Sequence, residues 1–181
     1  MTVGGAVTEI VYALGFGDRV VAVDITSSYP AEVKGKPSVG YMRALSPEGV
    51  LALSPKIVLA IEGSGPPDAV EVLSRASVPF VIVPEGYDEA SVLKKIRFIA
   101  QALGVPEKGE AIAKQVAEDF AALGAMRAKI GARRSAVFVL AVGNGTPTVA
   151  GDRTSAEGVF ELAGVDNAIK GMNGFKPATP E

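Results

Sequence analysis

Residues 56–83 read KIVLAIEGSGPPDAVEVLSRASVPFVIV. The run 56–61 is short, apolar and unbroken, the pattern of a strand covered on both faces. Glycine and proline at 63–67 interrupt it, a helix is predicted over 66–75, and a second apolar run follows at 79–83. Strand, crossover helix and strand in this order predict neighbouring parallel strands and an α/β fold.

The same alternation extends to either side. Upstream, Ser46-Pro47-Glu48 is a strong helix start: a serine cap, proline in the first turn and an acid beside the positive helix end. It opens a helix predicted over 47–53. Before it lie a turn-rich stretch at 26–40, a strand predicted over 19–23, a helix over 8–14 and a clipped first strand ending at Gly5. Downstream, a helix over 88–103 closes at Gly104. Residues 107–130 then carry no strand signal. Ile112, Val116, Phe120, Leu123, Met126 and Ile130 recur every three or four residues and make one apolar stripe. The interior glycines Gly109 and Gly124 weaken that helix without breaking it. At about 1.5 Å per residue it spans roughly 35 Å. This suits a strut between two α/β lobes better than another crossover helix on the same sheet.

Beyond the strut, strands are predicted over 135–142, 146–150 and 167–169, with a helix over 155–163 ending at Gly164. Thr179-Pro180-Glu181 resembles a helix start with no helix behind it, so a truncated second lobe is expected. The predicted organisation is an N-terminal lobe at 1–106, a connecting helix at 107–131 and a partial C-terminal lobe at 132–181.

Composition narrows the chemistry. Hydrophobic residues make up 48% of the 181 and the formal net charge is −2, with both signs scattered. That leaves ample apolar material for a core and no basic footprint for nucleic acid. The longest apolar runs are strand-length, so no membrane span is expected. No signal peptide opens the chain, which fits either a cytoplasmic protein or one whose leader lies outside this sequence. Cysteine and histidine are both absent. Without histidine, neither imidazole catalysis nor an imidazole metal ligand is available.

Several positions are candidates for function on residue type alone. Gly4-Gly5 and Gly63-Ser64-Gly65 precede helices and could offer backbone N–H groups to an anion, but neither has a nucleotide-binding spacing, and plain turns are the better reading. Asp24, Glu62 and Glu85 follow strand ends, where α/β proteins place functional loops, yet no partner at motif spacing supports acid–base catalysis. Gly40-Tyr41-Met42-Arg43 puts a phenol, a thioether and a guanidinium together in one loop before a capped helix.

The stretch 21–60, VAVDITSSYPAEVKGKPSVGYMRALSPEGVLALSPKIVLA, closely resembles bacterial periplasmic haem-binding proteins. So do VGGAVTEIVYALG at 3–15, PEGYDEASVLKKI at 84–96 and TSAEGVFELAGVDNAI at 154–169. These proteins are the soluble receptors of ABC importers, in the helix-strut class that also serves cobalamin and ferric siderophores. The resemblance implies a two-lobe periplasmic-binding-protein fold. It also implies non-catalytic capture of one haem in the interlobe cleft, delivery to a permease and its ATPase, a periplasmic location and a monomer.

GYMRALSPEG at 40–49 is the most specific segment. By that match Tyr41 is the axial ligand of the haem iron, and Arg43 is the arginine beside the ligand phenol, or else a partner of a haem propionate. Tyrosine ligation of haem iron is an established mode. A free phenol titrates at about 10, and both ferric iron and a nearby cation favour its anion. Tyr29 and Tyr87 are loop aromatics that could line the cleft. The resemblance further implies permease docking through an acid on each lobe, here Glu48 and Glu181. One departure matters: some relatives bind a second haem through a rear-lobe histidine, where this chain reads Ala141-Val142-Gly143-Asn144-Gly145. A histidine-bound second haem is excluded in this chain. The rival readings are a siderophore or cobalamin receptor, against which GYMR argues, and a small α/β enzyme.

Overall fold

The computed structural model describes residues 1–143 and 145–178. They form two compact units: Met1–Glu85 with Leu93–Lys114, and Gly86–Val92 with the chain from Gln115 onward. In chain order the first holds β1 (Thr2–Val3), α1 (Gly5–Ala13), α2 (Pro47–Ala52), β2 (Val58–Ile61), α3 (Pro67–Ser74) and β3 (Phe80–Val83). Helices α4 (Glu89–Ala102) and α5 (Pro106–Arg127) have residues in both units.

The three strands form a parallel sheet in the order β1-β2-β3, with Thr2 opposite Leu59 and Val58 opposite Phe80. Every residue of β2 is buried, and its neighbours explain why. Leu59 and Ile61 pack with Val7 and Val11 of α1, Val83 of β3 and Ile99 of α4. On the other face, Val58 and Ala60 pack with Val3, Leu45, Val50 of α2 and Leu73 of α3. Alternate residues thus enter two different cores, which is the reason the strand lacks a polar face. Each large aliphatic side chain buried this way contributes about 1.5–3 kcal/mol.

The strand predicted over 19–23 is not formed as such. Gly17–Arg19 is a single 3-10 turn, and the chain joins the sheet only at Val23, through isolated parallel bridges to Thr2 and Ser38. Its partner β1 has only two residues, too few to support a longer ladder. The apolar pattern is still used, since Val20, Ala22 and Val23 are buried.

Two glycines are required by packing. Gly4 turns β1 into α1 at φ +104°, and a Cβ there would lie 2.7 Å from Ile61 Cγ2. A Cβ on Gly109 would overlap the Ala100 methyl, so this glycine lets α5 approach α4 despite its cost to the helix. The helix predicted over 107–130 is α5, but the apolar stripe fails at its end: Met126 and Ile130 are exposed.

The second unit contains β4 (Arg134–Ala136), β5 (Val139–Gly143), β6 (Thr146–Ala150), α6 (Ser155–Ala163), β7 (Val165–Asn167) and β8 (Phe175–Pro177). β4 pairs in parallel with β7, while β5, β6 and β8 form an antiparallel sheet in that order. The single strand predicted over 135–142 is therefore two strands. The chain changes partners at Val137 and Phe138, and a continuous apolar run carries no mark of such a switch. The strand predicted over 167–169 lies two residues earlier, and β8 was not predicted.

Helix α6 is capped as its sequence requires. Thr154 Oγ1 accepts from the Glu157 N–H at 3.1 Å, and Gly164 closes the helix in the left-handed conformation at φ 72°. Residues 179–181 lie outside the described residues.

Candidate functional site

Because the strands of the first unit run in parallel, their C-terminal ends open onto a shared set of loops, the usual place for a binding site in such sheets. These loops are Gly4-Gly5, residues 24–27, residues 40–43, residues 62–65 and Glu85.

The buried carboxylate of Asp24, 1% exposed, organises the first two loops. It accepts from the N–H of Gly4 at 2.8 Å, the N–H and hydroxyl of Thr26 at 3.1 and 2.7 Å, and the Ser27 hydroxyl at 2.9 Å. Gly5 N–H donates to Thr26 Oγ1 at 3.1 Å, and the Thr2, Thr8 and Ser27 hydroxyls continue the network. The N–H groups of Gly4 and Gly5 are thus satisfied by the protein's own acceptors. At the second glycine turn, Ser64 N–H bonds to Ile61 and Gly65 N–H to Met42, so it too is a structural turn.

Tyr41 sits on backbone held from two sides. Gly40, at φ +83°, accepts from the Ile25 N–H at 2.9 Å. Met42 accepts from Gly65 N–H at 2.9 Å, and Leu45 N–H returns a bond to Gly65 at 2.8 Å. The Met42 side chain packs against both cores. Between these anchors Tyr41 is 43% exposed and Arg43 is exposed. Among the described residues neither the Tyr41 hydroxyl nor the Arg43 guanidinium has a hydrogen-bond or ion-pair partner. A fixed backbone thereby presents a phenol and a cation two residues apart, both available to a ligand.

Other predicted residues fall into distinct roles. Glu48 is exposed in the first turn of α2, two residues after the cap Ser46, whose Oγ accepts from Gly49 N–H at 3.2 Å. Tyr29 belongs to the loop anchored by Asp24 and is 65% exposed. Tyr87 belongs to the second unit, where it lines a cavity of about 170 Å³ with Phe120, Leu123, Arg127 and Gly158. Glu62 accepts from the Glu85 N–H at 3.0 Å, and Glu85 forms an ion pair with the buried Lys95. Glu181 lies outside the described residues. A cavity of about 500 Å³ at the opposite, N-terminal ends of the strands, lined by Met1, Phe16, Lys56 and Leu103, contains none of the predicted site residues.

One feature escaped the sequence reading. Ile25, 64% exposed, stands directly after Asp24 and is bonded to Gly40 beside Tyr41. The available signal was a large aliphatic residue in the turn that follows a strand end.

The chain matches the periplasmic binding protein family over residues 1–180. Among solved structures it is similar to the periplasmic heme-binding protein BhuT in complex with two hemes, with a TM-score of 0.92 and 39% identity, covering 98% of this chain and 69% of that one. The periplasmic heme-binding protein RhuT from Roseiflexus sp. RS-1, in apo form, gives a TM-score of 0.92 at 38% identity, covering 99% and 70%. Among curated proteins, an uncharacterized ABC transporter substrate-binding lipoprotein of Bacillus subtilis, YvrC, is 38% identical over 114 residues, 62% of this chain and 36% of its own length. The vitamin B12-binding protein of Vibrio parahaemolyticus is 32% identical over 116 residues, 64% of this chain and 42% of its own. The chain spans less than half the length of these curated relatives. A family match over nearly the whole sequence, joined to this parallel-sheet lobe and its strand-end loops, places the chain in the periplasmic binding protein family.

Proposed function

We propose that this protein is the haem receptor of an ABC-type importer, binding one haem through the Tyr41 phenolate and passing it unchanged to a permease and its ATPase. The observation that carries the reading is the exposed Tyr41 on a doubly anchored loop with Arg43 two residues on, the phenol hydroxyl and the guanidinium both without a partner among the described residues. With histidine and cysteine absent from the sequence, a phenolate is the strongest axial donor it offers to ferric haem. In this reading Arg43 stands beside the ligand phenol or meets a propionate. Similarity to two heme-binding proteins at 38–39% identity supports the same ligand. In this reading the protein works in the periplasm as a monomer, and Glu48 and Glu181 dock on the permease.

The rival is a cobalamin receptor, supported by the vitamin B12-binding relative at 32% identity. A corrinoid carries its cobalt already ligated and has no need of a phenolate. Titration with haemin, followed in the visible spectrum, separates the two. The wild-type protein is expected to show a phenolate-to-iron charge-transfer band that cyanocobalamin does not displace. Tyr41→Phe keeps the ring and removes only the oxygen, so it is expected to lose the band and bind haemin at least tenfold more weakly. A Tyr41→Phe protein with the wild-type spectrum and affinity would overturn the ligand assignment.

A further inference from the structure

Ile25 and Tyr29 are the two most exposed large apolar residues of the first unit, at 64% and 65%. Isolated apolar residues on a surface are ordinary, and Val72 on α3 is one such. These two differ because they share one short loop, and that loop is hydrogen-bonded to the residue preceding Tyr41.

The backbone at Ile25 is held on both sides. Its own N–H bonds to Gly40 at 2.9 Å, Asp24 before it is locked by the carboxylate network, and Thr26 after it bonds to Asp24 and Gly5. A β-branched side chain on fixed backbone has few rotamers to lose, so a contact made there costs little ordering entropy. The arrangement is an exposed apolar side chain on fixed backbone, hydrogen-bonded to the residue that precedes Tyr41.

We infer that Ile25 is an apolar contact for the ring of a tetrapyrrole ligated by Tyr41, and that it favours a flat porphyrin over a corrin. The inference rests on the Tyr41 reading above. A porphyrin held by its iron turns an apolar face and edge toward the surface around the phenol, and Ile25 removes part of that area from water. A corrin ring is puckered and fringed with amides, whose polar groups would lose water against an isoleucine without gaining a partner.

The test compares haemin binding by the wild-type protein, Ile25→Ser, Ile25→Leu and Tyr41→Phe, each checked by thermal melting. Since Ile25 is exposed, both of its variants should melt as the wild type does. Ile25→Ser is expected to keep the phenolate-to-iron band while its Kd for haemin rises about tenfold, and Ile25→Leu to stay within about twofold. Wild-type haemin affinity in Ile25→Ser overturns the role of Ile25 and leaves the Tyr41 assignment standing. A persisting band in Tyr41→Phe overturns that assignment, and this inference with it.

Discussion

Asp24 accepts a hydrogen bond from the Gly4 N–H at 2.8 Å, tying the loop after Val23 to the N-cap of α1. Its carboxylate is almost fully buried and answers four donors in all. Removing it strands the buried Gly4 N–H and Ser27 hydroxyl away from water, where each unsatisfied group costs about 1–3 kcal/mol, while the donors of Thr26 lie on an exposed residue. Asp24→Ala is therefore expected to lower the stability of the first unit by roughly 2–4 kcal/mol in urea unfolding. Asp24→Asn should lose less, because one amide oxygen still accepts while the amide nitrogen opposes a donor. Loss of under about 0.5 kcal/mol in Asp24→Ala would show that water replaces the carboxylate.

Lys95 and Glu85 form an ion pair with unequal burial: the lysine side chain is 6% exposed and the glutamate 29%. Deleting either partner leaves the other, and the cost follows how far the survivor is from water. Glu85→Ala strands a buried ammonium and is expected to cost about 3 kcal/mol. Lys95→Met leaves a carboxylate with some solvent and other contacts, and fills the lysine's apolar path, so it should cost about half as much. Equal losses in the two variants would mean that burial does not set the energetics of this pair.

Local chemistry was legible wherever one short segment decides the outcome. Ser46-Pro47 starts a helix, Gly164 ends another, and the run at 56–61 contains a strand buried on both faces. What escaped depends on partners distant in sequence. Val23 finds only a short neighbour, the run at 135–142 divides between two sheets, and β8 exists because β6 offers it an edge. The site follows the same division. Tyr41 and Arg43 are proposed because ten contiguous residues carry the resemblance. In the sequence Asp24 is a strand-end acid, and only the fold reveals that it is buried and holds loops together. Ile25 was invisible because its meaning comes from a hydrogen bond to Gly40.

Arg97 and Glu110 link α4 to α5 through two hydrogen bonds, Nε to Oε2 at 2.6 Å and Nη2 to Oε1 at 3.0 Å. Hydrogen bonding to Arg97 holds the Glu110 carboxyl below the ordinary glutamate range. A carboxyl lowered in the folded state contributes stability above its unfolded pKa and loses that contribution as pH falls through the folded value. Both side chains are solvent-exposed, so the effect on overall stability is small and screened by salt. Carboxyl NMR titration should find Glu110 below ordinary glutamates, and Arg97→Gln should return it to their range. An unchanged titration in Arg97→Gln would show that the pair does not persist in solution.

Glu48 has two possible roles, and they respond differently to substitution. As an acid in the first turn of α2 it complements the positive helix end, an effect worth about 0.3–1 kcal/mol at an exposed site. As a docking residue it meets cations on the permease, where long-range attraction speeds encounter and weakens with salt. Charge neutralisation in Glu48→Gln tests the first role through stability alone, and a fall of under about 1 kcal/mol is expected. Charge reversal in Glu48→Arg tests the second. Haemin binding should be unchanged, because Glu48 is five residues beyond Arg43 and separated from it by the Ser46 cap. Binding to the reconstituted permease should weaken by more than tenfold, and the wild-type interaction should weaken as ionic strength rises through 0.15 M, where the screening length is about 8 Å. If Glu48→Arg docks as the wild type does, Glu48 serves only its own helix.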